Sequence, residues 1–435
     1  MSNLNLISIG TLFDLEKGSL QSSKCTEGEY TFITAAEEWK THNEYSHECE
    51  ALIFAAAASG SLGRTHYIND KFITSDLCFI LTPKDSKKYP INLKFYHFVF
   101  NSLKDEIVKN TKSGTSKESI NQSNLRNYKI PYFEIDKQNL WIDKLVNTKS
   151  IKEDLEFELS SGQSLLKQLK QTILQEAIEG KLTAKWRAKN PDIGTAKELL
   201  EQIKTEKEKL VKEKKIKQGK KQIANEIEDL DIEIPDSWLL IDLDDITQYI
   251  TDGTHQTPRY VENGRMFLSA QNIKPFKFMP EIYRCVSEED YQKYIANRKT
   301  EKGDLLLGRV GAGIGETAVV NQDLEFAIYV SLGLVKTFKQ FTNPEYLATV
   351  FNSPYGVRYA KGNISSGGGS AGNFNLGRIR SFPIPFPPLE EQKEIVATIE
   401  KLFTICDELE SEINQNKTTV DNLMATVLKE AFEQQ

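Results

Sequence analysis

Two short segments of the sequence contain residue types that could bind or modify a nucleotide. The first is a glycine series, Gly311, Gly313 and Gly315, which partly matches a phosphate-binding loop. A dinucleotide fingerprint requires a strand, the pattern GxGxxG, a helix and a downstream acidic residue, whereas the residues that follow, 316–320, predict a continuing strand. We therefore interpret the glycines as a hairpin turn, in which glycine supplies the positive φ angles that such turns need.

The second segment is Asn352-Ser353-Pro354-Tyr355, which is similar to the Asn-Pro-Pro-Tyr loop of amino-methyltransferases. That loop places an amide and an aromatic ring beside a base flipped out of the duplex. Here serine replaces the first proline, and no strand–glycine loop of the S-adenosylmethionine-binding type precedes the segment. We interpret it as a helix end or turn, with a methyltransferase-like enzyme as the alternative. The sequence also lacks a P-loop and a recognisable nuclease cluster, so it predicts binding rather than catalysis.

Composition restricts the function classes further. A chain of 435 residues with 39% hydrophobic residues predicts two or three folded domains. The five cysteines are scattered without a CxxC pair and the five histidines are dispersed, so we predict no metal site and a reducing, cytoplasmic location. We expect no signal peptide and no membrane span. The net charge of −7 weakens the case for nucleic-acid binding without excluding it, because phosphate contacts need only a local basic surface.

An internal repeat determines the expected architecture. Residues 130–178 align with residues 384–432 without a gap, so that Gln138 matches Gln392 and apolar positions match throughout. In each copy the apolar residues are spaced alternately by three and four, which predicts a long helix with one narrow seam, as in a coiled coil. We expect the two seams to pair with each other, although two unrelated amphipathic helices that each pack on their own domain would show the same spacing. The predicted pairing residues are Leu155, Leu159, Leu166, Leu169 and Ile173 in the first copy and Ile399, Leu402, Leu409, Ile413, Val420, Leu423 and Val427 in the second.

Both predicted helices contain weak helix formers at the same place. Ser160-Ser161-Gly162 in the first copy aligns with Asn414-Gln415-Asn416 in the second. Serine, asparagine and glycine have low helix propensity, so we expect each helix to kink or break there.

The regions that precede the two helices also repeat, though less closely. Phe32-Ile33-Thr34-Ala35 matches Phe267-Leu268-Ser269-Ala270, and Phe100-Asn101-Ser102 matches Phe351-Asn352-Ser353. Each region predicts a globule of short strands, glycine-rich turns and a few helices. Between the first helix and the second globule, strong helix formers and the lysines of 204–221 indicate a partly helical, solvated tether rather than a phosphate-binding segment.

Several motifs in combination resemble the specificity subunits of Type I restriction-modification enzymes. The most specific is IPFPPLEEQKEIV at 384–396, together with DGTHQTP at 252–258 and GDLLL at 303–307. The linker pattern from AKELL at 196–200 to IPDSW at 234–238 extends the resemblance over essentially the whole chain. The first copy departs from the pattern, because IPYFEIDKQ at the start of its helix lacks the PPLEEQ form.

The resemblance implies an α+β fold. Two mixed α/β target-recognition domains would be separated by two long antiparallel, coiled-coil-like helices in a pseudo-twofold repeat. The expected parts are target-recognition domain 1 at 1–133, spacer helix 1 at 134–182, a Lys/Glu-rich linker at 183–235, target-recognition domain 2 at 236–387 and spacer helix 2 at 388–435.

The resemblance also implies a function. The chain would be a non-catalytic subunit that recognises a bipartite, asymmetric site on double-stranded DNA and docks two methyltransferase subunits on its helices, with up to two restriction-motor subunits as further partners. It would bind no cofactor itself, and S-adenosylmethionine, ATP and Mg²⁺ would be bound by those partners. The alternatives are a DNA adenine methyltransferase-like enzyme and a coiled-coil scaffold that does not contact DNA.

DNA contacts are expected from side chains that can donate paired hydrogen bonds and from turns that can approach a phosphate. In the first globule the candidates are Gln21, Ser22, Lys24, Ser61, Arg64, Lys112, Thr115 and Lys117. In the second globule they are Thr254, His255, Gln256, Arg259, Tyr260, Arg309, Lys361, Ser365 and Ser366.

Overall fold

The computed structural model describes residues 5–58, 60–113, 118–217, 220–221, 223, 230–365 and 372–433. The chain divides into two units. Unit 1 comprises residues 1–162 and 412–435, and unit 2 comprises residues 163–411. Each unit therefore contains one globule together with part of both long helices. The five-part division given above, which separates helices from globules, stays a prediction.

Unit 1 is built around one β-sheet with helices beside it. Its strands are β1 (Leu6–Ser8), β2 (Phe13–Lys17), β3 (Tyr30–Ile33), β4 (Lys40–His42), β5 (His47–Ala55), β6 (Thr65–Thr74), β7 (Cys78–Pro83), β8 (Lys112–Ser113), β9 (Ser119–Ile120) and β10 (Lys129–Pro131). Its helices are α1 (Ile9–Leu12), α2 (Leu93–Ser102), α3 (Lys104–Thr111), α4 (Gln122–Asn127) and the start of α5 (Ile135–Ile178). The main sheet has six strands in the order β2-β7-β5-β6-β3-β4.

The central strand β5 shows why this sheet is buried on both faces. Successive side chains of a strand point to opposite faces. Leu52 and Phe54 lie in one hydrophobic cluster with the aromatic residues of α2. Ile53 and Ala55 lie in a second cluster on the other face. A nearly continuous apolar run is what a strand covered on both faces requires.

Unit 2 contains the second globule and the residues that the sequence predicts as a linker. After α6 (Ala184–Lys189) and α7 (Ala196–Lys212), its strands are β11 (Leu239–Asp242), β12 (Thr247–Asp252), β13 (Tyr260–Val261), β14 (Arg265–Leu268), β15 (Ile273–Lys274), β16 (Lys277–Phe278), β17 (Arg284–Val286), β18 (Leu305–Gly308), β19 (Thr317–Val319), β20 (Phe326–Ile328), β21 (Leu332–Thr337), β22 (Ile364–Ser365), β23 (Asn373–Phe374) and β24 (Pro383–Phe386). The remaining helices are α8 (Glu288–Ile295), α9 (Pro344–Asn352), α10 (Pro354–Gly362), α11 (Leu376–Arg380), α12 (Leu389–Asp421) and α13 (Leu423–Glu433), of which α13 belongs to unit 1.

The two globules share one strand arrangement. Unit 2 has a four-stranded sheet in the order β12-β21-β18-β19, which corresponds to β2-β7-β5-β6 of unit 1. Its second four-stranded sheet, β13-β17-β14-β20, contains the parallel pair β14–β20. Unit 1 has the same parallel pairing between β3 and β6. In unit 1 the single long strand β6 pairs with both β5 and β3. In unit 2 the equivalent pairings are made by two strands, β19 with β18 and β20 with β14. The predicted α+β fold with duplicated globules is confirmed.

The two long helices run antiparallel and touch within each unit. In unit 1, Trp141 and Leu145 near the start of α5 share a buried cluster with Leu428 and Ala431 of α13. In unit 2, the Lys170 ammonium of α5 lies 2.8 Å from carboxylates of α12, namely Asp407 and Glu410. Early residues of the first helix thus meet late residues of the second.

The predicted interruptions of these helices are wrong. α5 continues through Ser160-Ser161-Gly162, and α12 continues through Asn414-Gln415-Asn416. The second helix is instead interrupted at Asn422, whose side-chain amide donates to the Thr418 carbonyl at 2.9 Å. A serine or glycine in a helix interior costs at most about 1 kcal/mol relative to alanine, so tertiary packing can outweigh it.

The predicted pairing residues differ in how deeply they are buried. Leu169 and Leu409 are exposed by 46% and 44%, so these two do not form a buried seam. The buried members are Leu166, Ile173, Ile399 and Val420, and the half-buried members are Leu155, Leu159, Leu402, Ile413, Leu423 and Val427.

The start of α12 is held by a buried carboxylate that the first copy lacks. Glu391 is fully buried and accepts hydrogen bonds from the Thr183 hydroxyl, the Arg187 guanidinium and the Trp238 indole, at 2.7–2.9 Å. The aligned position of the first copy is Lys137. Glu391 of the PPLEEQ form therefore fixes Thr183, Arg187 and Trp238 against the second helix.

Candidate functional site

The segment that resembles a methyltransferase loop is built into the core of unit 2. Asn352 is buried, and its side chain makes two hydrogen bonds with the backbone of Thr317, at 3.0 and 2.8 Å. The Ser353 hydroxyl accepts from the backbone of the first turn of α10, which makes it a helix N-cap. Tyr355 is buried, and its hydroxyl donates to a carbonyl of β24 at 2.8 Å. These contacts give the segment a structural role as a helix end.

The glycine series forms the turn that the sequence predicts. β18 and β19 pair antiparallel on either side of it, with Leu307 opposite Thr317. Gly311 and Gly315 have φ angles of +93° and +89°. Residues with a β-carbon rarely adopt such angles, whereas glycine adopts them readily. The turn also forms part of an open cleft.

This cleft has a volume of about 730 Å³ and bears exposed aromatic and basic side chains. It is lined by aromatic rings, small turn residues and a few charged groups, namely Tyr260, Phe267, Ser269, Ala270, Gln271, Asn272, Lys274, Ile282, Tyr283, Arg284, Val310, Gly311, Ala312, Gly313, Glu316, Tyr329 and Ser331. Flat aromatic rings and long basic side chains are suited to a nucleic acid, whose bases stack and whose phosphates carry charge.

Of the second-globule candidates that the structure describes, only Tyr260 lines this cleft. The exposed candidates, which remain available for a partner, are His255, Gln256, Arg259, Tyr260 and Lys361. Ser365 is half-buried, and its hydroxyl donates to the Asn373 carbonyl at 2.9 Å. Ser366 lies outside the described residues.

Two candidates in the second globule are buried and so are not offered to a partner in this structure. Thr254 is exposed by only 5%, and Arg309 by only 3%. The Arg309 guanidinium pairs with Asp252 and donates to the backbone carbonyls of Val330 and Phe374. Burial lowers the pKa of this guanidinium below its usual value, an effect that the Asp252 carboxylate partly offsets.

The contacts of Arg309 make it a positioning residue. The Asp252 carboxylate also forms a hydrogen bond with His255, whose Nε2 lies 3.0 Å from the same carboxylate oxygen. Arg309 therefore connects the end of β12, which leads into the exposed residues at 255–260, with β23 and with the turn before β21. From the sequence alone, a basic residue before a glycine turn suggests a phosphate contact. In the structure, the charge of Arg309 is instead paired with Asp252 inside the unit.

The candidates in the first globule lie at three separate places on unit 1. Gln21, Ser22 and Lys24 are exposed on one short turn. Ser61 and Arg64 are half-buried together, with the Arg64 guanidinium donating to the Ser61 hydroxyl at 3.2 Å. The exposed Lys112 pairs with Glu118 at 2.7 Å, and Thr115 and Lys117 lie outside the described residues.

Some residues of interest escaped the sequence reasoning. In unit 1, Trp39 is exposed by 41%, and its indole donates to the His66 imidazole at 3.3 Å, near Arg64. In unit 2, Arg284 stacks on Tyr260 with 4.5 Å between the guanidinium carbon and the ring centre. Isolated aromatic and basic residues give no motif, and only the pairing of β13 with β17 brings the second pair together.

Three further features bear on the chemistry of the chain. Within the described residues, no group of three or more His, Cys, Asp or Glu side chains is arranged to hold a metal ion. The five cysteines are free thiols. No helix in the described part of the chain combines the length and the apolarity needed to cross a membrane.

Comparison with known proteins assigns a family to this architecture. The family model described as the Type I restriction modification DNA specificity domain matches residues 1–160 and 235–416. The Type I restriction enzyme EcoAI specificity subunit of Escherichia coli is 28% identical over 60% of this chain and 44% of that protein. The EcoDI specificity subunit of the same species is 20% identical over 98% of this chain and 87% of that protein. The chain thus spans less than half of the first of these relatives.

Two solved structures share the fold. A chain of the type I R-M system, from a structure that addresses its complex assembly and conformational transition, superposes with a TM-score of 0.68 and 13% identity, covering 99% of this chain and 98% of that one. The HsdS subunit from Thermoanaerobacter tengcongensis superposes with a TM-score of 0.56 and 14% identity, covering 99% and 97%.

Proposed function

This chain belongs to the family of the Type I restriction modification DNA specificity domain, and on that premise we propose that it is the DNA-recognition subunit of such a system. It binds a bipartite site on double-stranded DNA, and each globule reads one half. The observation that carries this proposal is the duplication of the globule within one chain. A bipartite asymmetric site needs two readers of similar construction and different surface.

The duplication supports two readers because it extends to individual hydrogen bonds. In unit 1 the side chain of Asn101 makes two hydrogen bonds with the backbone of Thr65, at 3.0 and 2.8 Å. In unit 2 Asn352 makes the same pair with Thr317, at the same distances. The exposed surfaces differ, since unit 2 bears the cleft with Tyr260, whereas the exposed Trp39 of unit 1 donates to His66. A shared scaffold with different surfaces suits two different half-sites.

The long helices offer a surface for partner proteins. On the part of α5 within unit 1, several large apolar side chains are exposed, among them Leu140 at 60% and Phe157 at 76%. Apolar side chains at these exposures favour burial against another protein. We assign this surface to methyltransferase subunits, two per chain, with restriction-motor subunits as further partners of the complete enzyme.

The chain itself performs no catalysis in this proposal. Its methyltransferase-like segment at 352–355 is used as a helix cap, and its glycine series forms a hairpin turn. S-adenosylmethionine, ATP and Mg²⁺ are bound by the partner subunits. The free thiols are consistent with a location in the reducing cytoplasm.

The test combines the chain with its methyltransferase subunit and a library of randomised double-stranded DNA. We expect retention of DNA that shares two short defined sequences separated by a fixed undefined spacer. The absence of any sequence preference would favour a scaffold without DNA contact. A second arm incubates the chain alone with labelled S-adenosylmethionine and DNA, and methyl transfer in that arm would contradict the non-catalytic assignment.

A further inference from the structure

Arg284 lies in the cleft of unit 2 with its guanidinium stacked on Tyr260. The Tyr260 ring in turn meets the buried ring of Phe267 at 6.2 Å in an edge-on arrangement. Phe267 thus packs against Tyr260, and the Tyr260 ring supports the guanidinium on one side. A stacked guanidinium presents its N–H groups as a rigid planar fork, so little entropy is lost when a ligand binds it.

The backbone that carries Arg284 is equally well fixed. Arg284 begins β17, which lies between β13 and β14 in its sheet. It pairs with Phe267 of β14, and two residues later Val286 pairs with Tyr260 of β13. The stacked pair thus stands on adjacent hydrogen-bonded strands rather than on a loop, which is the more exact way to position a recognition side chain.

Two other arginines in the described part of the chain stack on aromatic rings, and in both the charge is already used. The Arg187 guanidinium lies 2.8 Å from Glu391, and the Arg265 guanidinium lies 2.5 Å from Glu288. Arg284 differs from both, because among the described residues its guanidinium has no carboxylate partner and no hydrogen-bond acceptor. Its donors face solvent at the cleft.

The charges that line the cleft leave Arg284 unbalanced. Lys274 and Glu316 are the other charged lining residues, and they pair with each other at 3.5 Å. Among the described lining residues, Arg284 is therefore the positive group whose charge no carboxylate compensates, and it lies beside the exposed ring of Tyr260. The fork of a guanidinium is suited to a pair of adjacent acceptors, which the edge of a guanine and a phosphate both offer.

We propose that Arg284 reads a guanine in the half-site of the second globule, through paired hydrogen bonds to the O6 and N7 atoms in the major groove. The inference rests on the DNA recognition proposed above and assigns one base of the target. Guanine is the base whose major-groove edge carries two adjacent acceptors, and a bidentate arginine is the commonest specific contact to it. Tyr260 acts as a positioning residue, because it acts through Arg284.

The test compares Arg284→Ala with wild type in complex with the methyltransferase subunit, by selection from randomised DNA and by titration of the selected site. We expect one guanine preference to disappear while all other positions keep theirs. The affinity for the wild-type site should fall by roughly 5- to 150-fold, which is the discrimination given by one bidentate base contact. Affinity for unrelated DNA should stay unchanged, as should the melting temperature, since Arg284 has no internal partner.

Two further variants make the result specific. Tyr260→Leu removes the supporting ring and should weaken the same guanine preference without changing any other position. Arg265→Gln is the matched control, because Arg265 lies on β14 of the same sheet and also stacks on a tyrosine, Tyr291 of α8, but is paired with glutamates. It should leave the selected sequence unchanged.

The proposal is overturned if Arg284→Ala selects the same sequence as wild type. It is also overturned if affinity falls equally for all sequences while the salt dependence decreases by about one counterion, because that is the behaviour of a phosphate contact. Failure of the proposed function is distinguishable from both outcomes, since in that case the wild-type complex would itself select no sequence.

Discussion

Gln138 and Gln392 make the same two hydrogen bonds in two different globules. The carboxamide oxygen of Gln138 accepts the backbone N–H of Asn92 at 2.6 Å, and that of Gln392 accepts the N–H of Asn343 at 2.8 Å. Each amide nitrogen donates to a carbonyl just before its own helix, at 2.6 and 2.9 Å. Asn92 and Asn343 are in turn the N-caps of α2 and α9. One buried glutamine per copy thus joins a long helix to its globule.

Replacing either glutamine should destabilise its own unit by a similar amount. Gln138→Ala and Gln392→Ala each leave a backbone N–H group without its acceptor, which costs about 1–3 kcal/mol. Urea unfolding followed by hydrogen exchange in each unit would measure the loss and locate it. Gln256→Ala, at an exposed glutamine, is the control and should be neutral. Equal destabilisation of both units by one variant would contradict this local role.

The alignment of these two glutamines shows why the fold was largely predictable from sequence. Two copies of one fold need similar residues at equivalent positions. Gln138, the helix seams and the Gly311–Gly315 turn could therefore be recognised from the sequence. The helix interruptions were mispredicted because local propensity at Ser160-Ser161-Gly162 is weaker than packing. The interruption lies instead at Asn422, and no periodicity reveals it.

The candidate site was less predictable than the fold. Arg309 was selected as a basic residue beside a turn, but the sequence does not reveal that Asp252 lies against it in the folded unit. Arg284 was missed for the opposite reason, since its partner Tyr260 is distant in sequence and meets it only through the register of β13 and β17. Contacts across a sheet depend on tertiary pairing, which residue type and spacing alone do not determine.

The helix seam should be sensitive at buried positions and tolerant at exposed ones. Leu166→Ala removes a side chain that is exposed by only 8%, and we expect a loss of about 2–5 kcal/mol. Leu409→Ala, at a predicted seam position of the second copy that is exposed by 44%, should cost less than about 1 kcal/mol. Chemical denaturation of both variants measures the difference. Similar losses would mean that the exposed leucine is buried in solution, for example against a second chain.

Arg309 should behave as an internal support rather than as a DNA contact. Arg309→Met leaves Asp252 buried without its partner, and removal of one member of such a pair costs about 3–5 kcal/mol. Thermal unfolding should show this loss, whereas Arg265→Met, at an exposed ion pair, should change little. Loss of DNA affinity by Arg309→Met with unchanged stability would show instead that the guanidinium contacts DNA directly.

Acid should destabilise unit 1 through His97. Burial lowers the pKa of this imidazole to about 4, and the nearby Lys149 lowers it in the same direction. An unfolded histidine has a pKa of about 6.5, so the unfolded state binds the proton more readily. The stability is therefore complete above about pH 6.5 and falls as the pH decreases towards 4, by up to about 3 kcal/mol in total.

Urea midpoints measured between pH 7 and pH 4 would test this dependence. His97→Gln removes the titrating group, so its midpoint should fall less steeply with pH than that of wild type, whatever the stability of the variant at pH 7. The Asn101 amide lies 3.4 Å from the imidazole Nδ1 and can hydrogen-bond to a glutamine as well. Identical slopes for the two proteins would exclude His97 as the source.

Exchange of the first globule should change one half of the DNA target and leave the other half unchanged. The exchange would replace residues 1–129 by the first globule of another family member. Because Gln138 accepts the backbone N–H of Asn92 across this junction, the donor globule must place a residue with a backbone N–H at this position, and the Tyr96 hydroxyl bond to the Pro131 carbonyl must also be kept. With these contacts preserved, the helices and unit 2 retain their own packing. Methylome sequencing of cells that carry the chimaera with its methyltransferase subunit reads both half-sites at once, and a change in both halves would rule out independent readers.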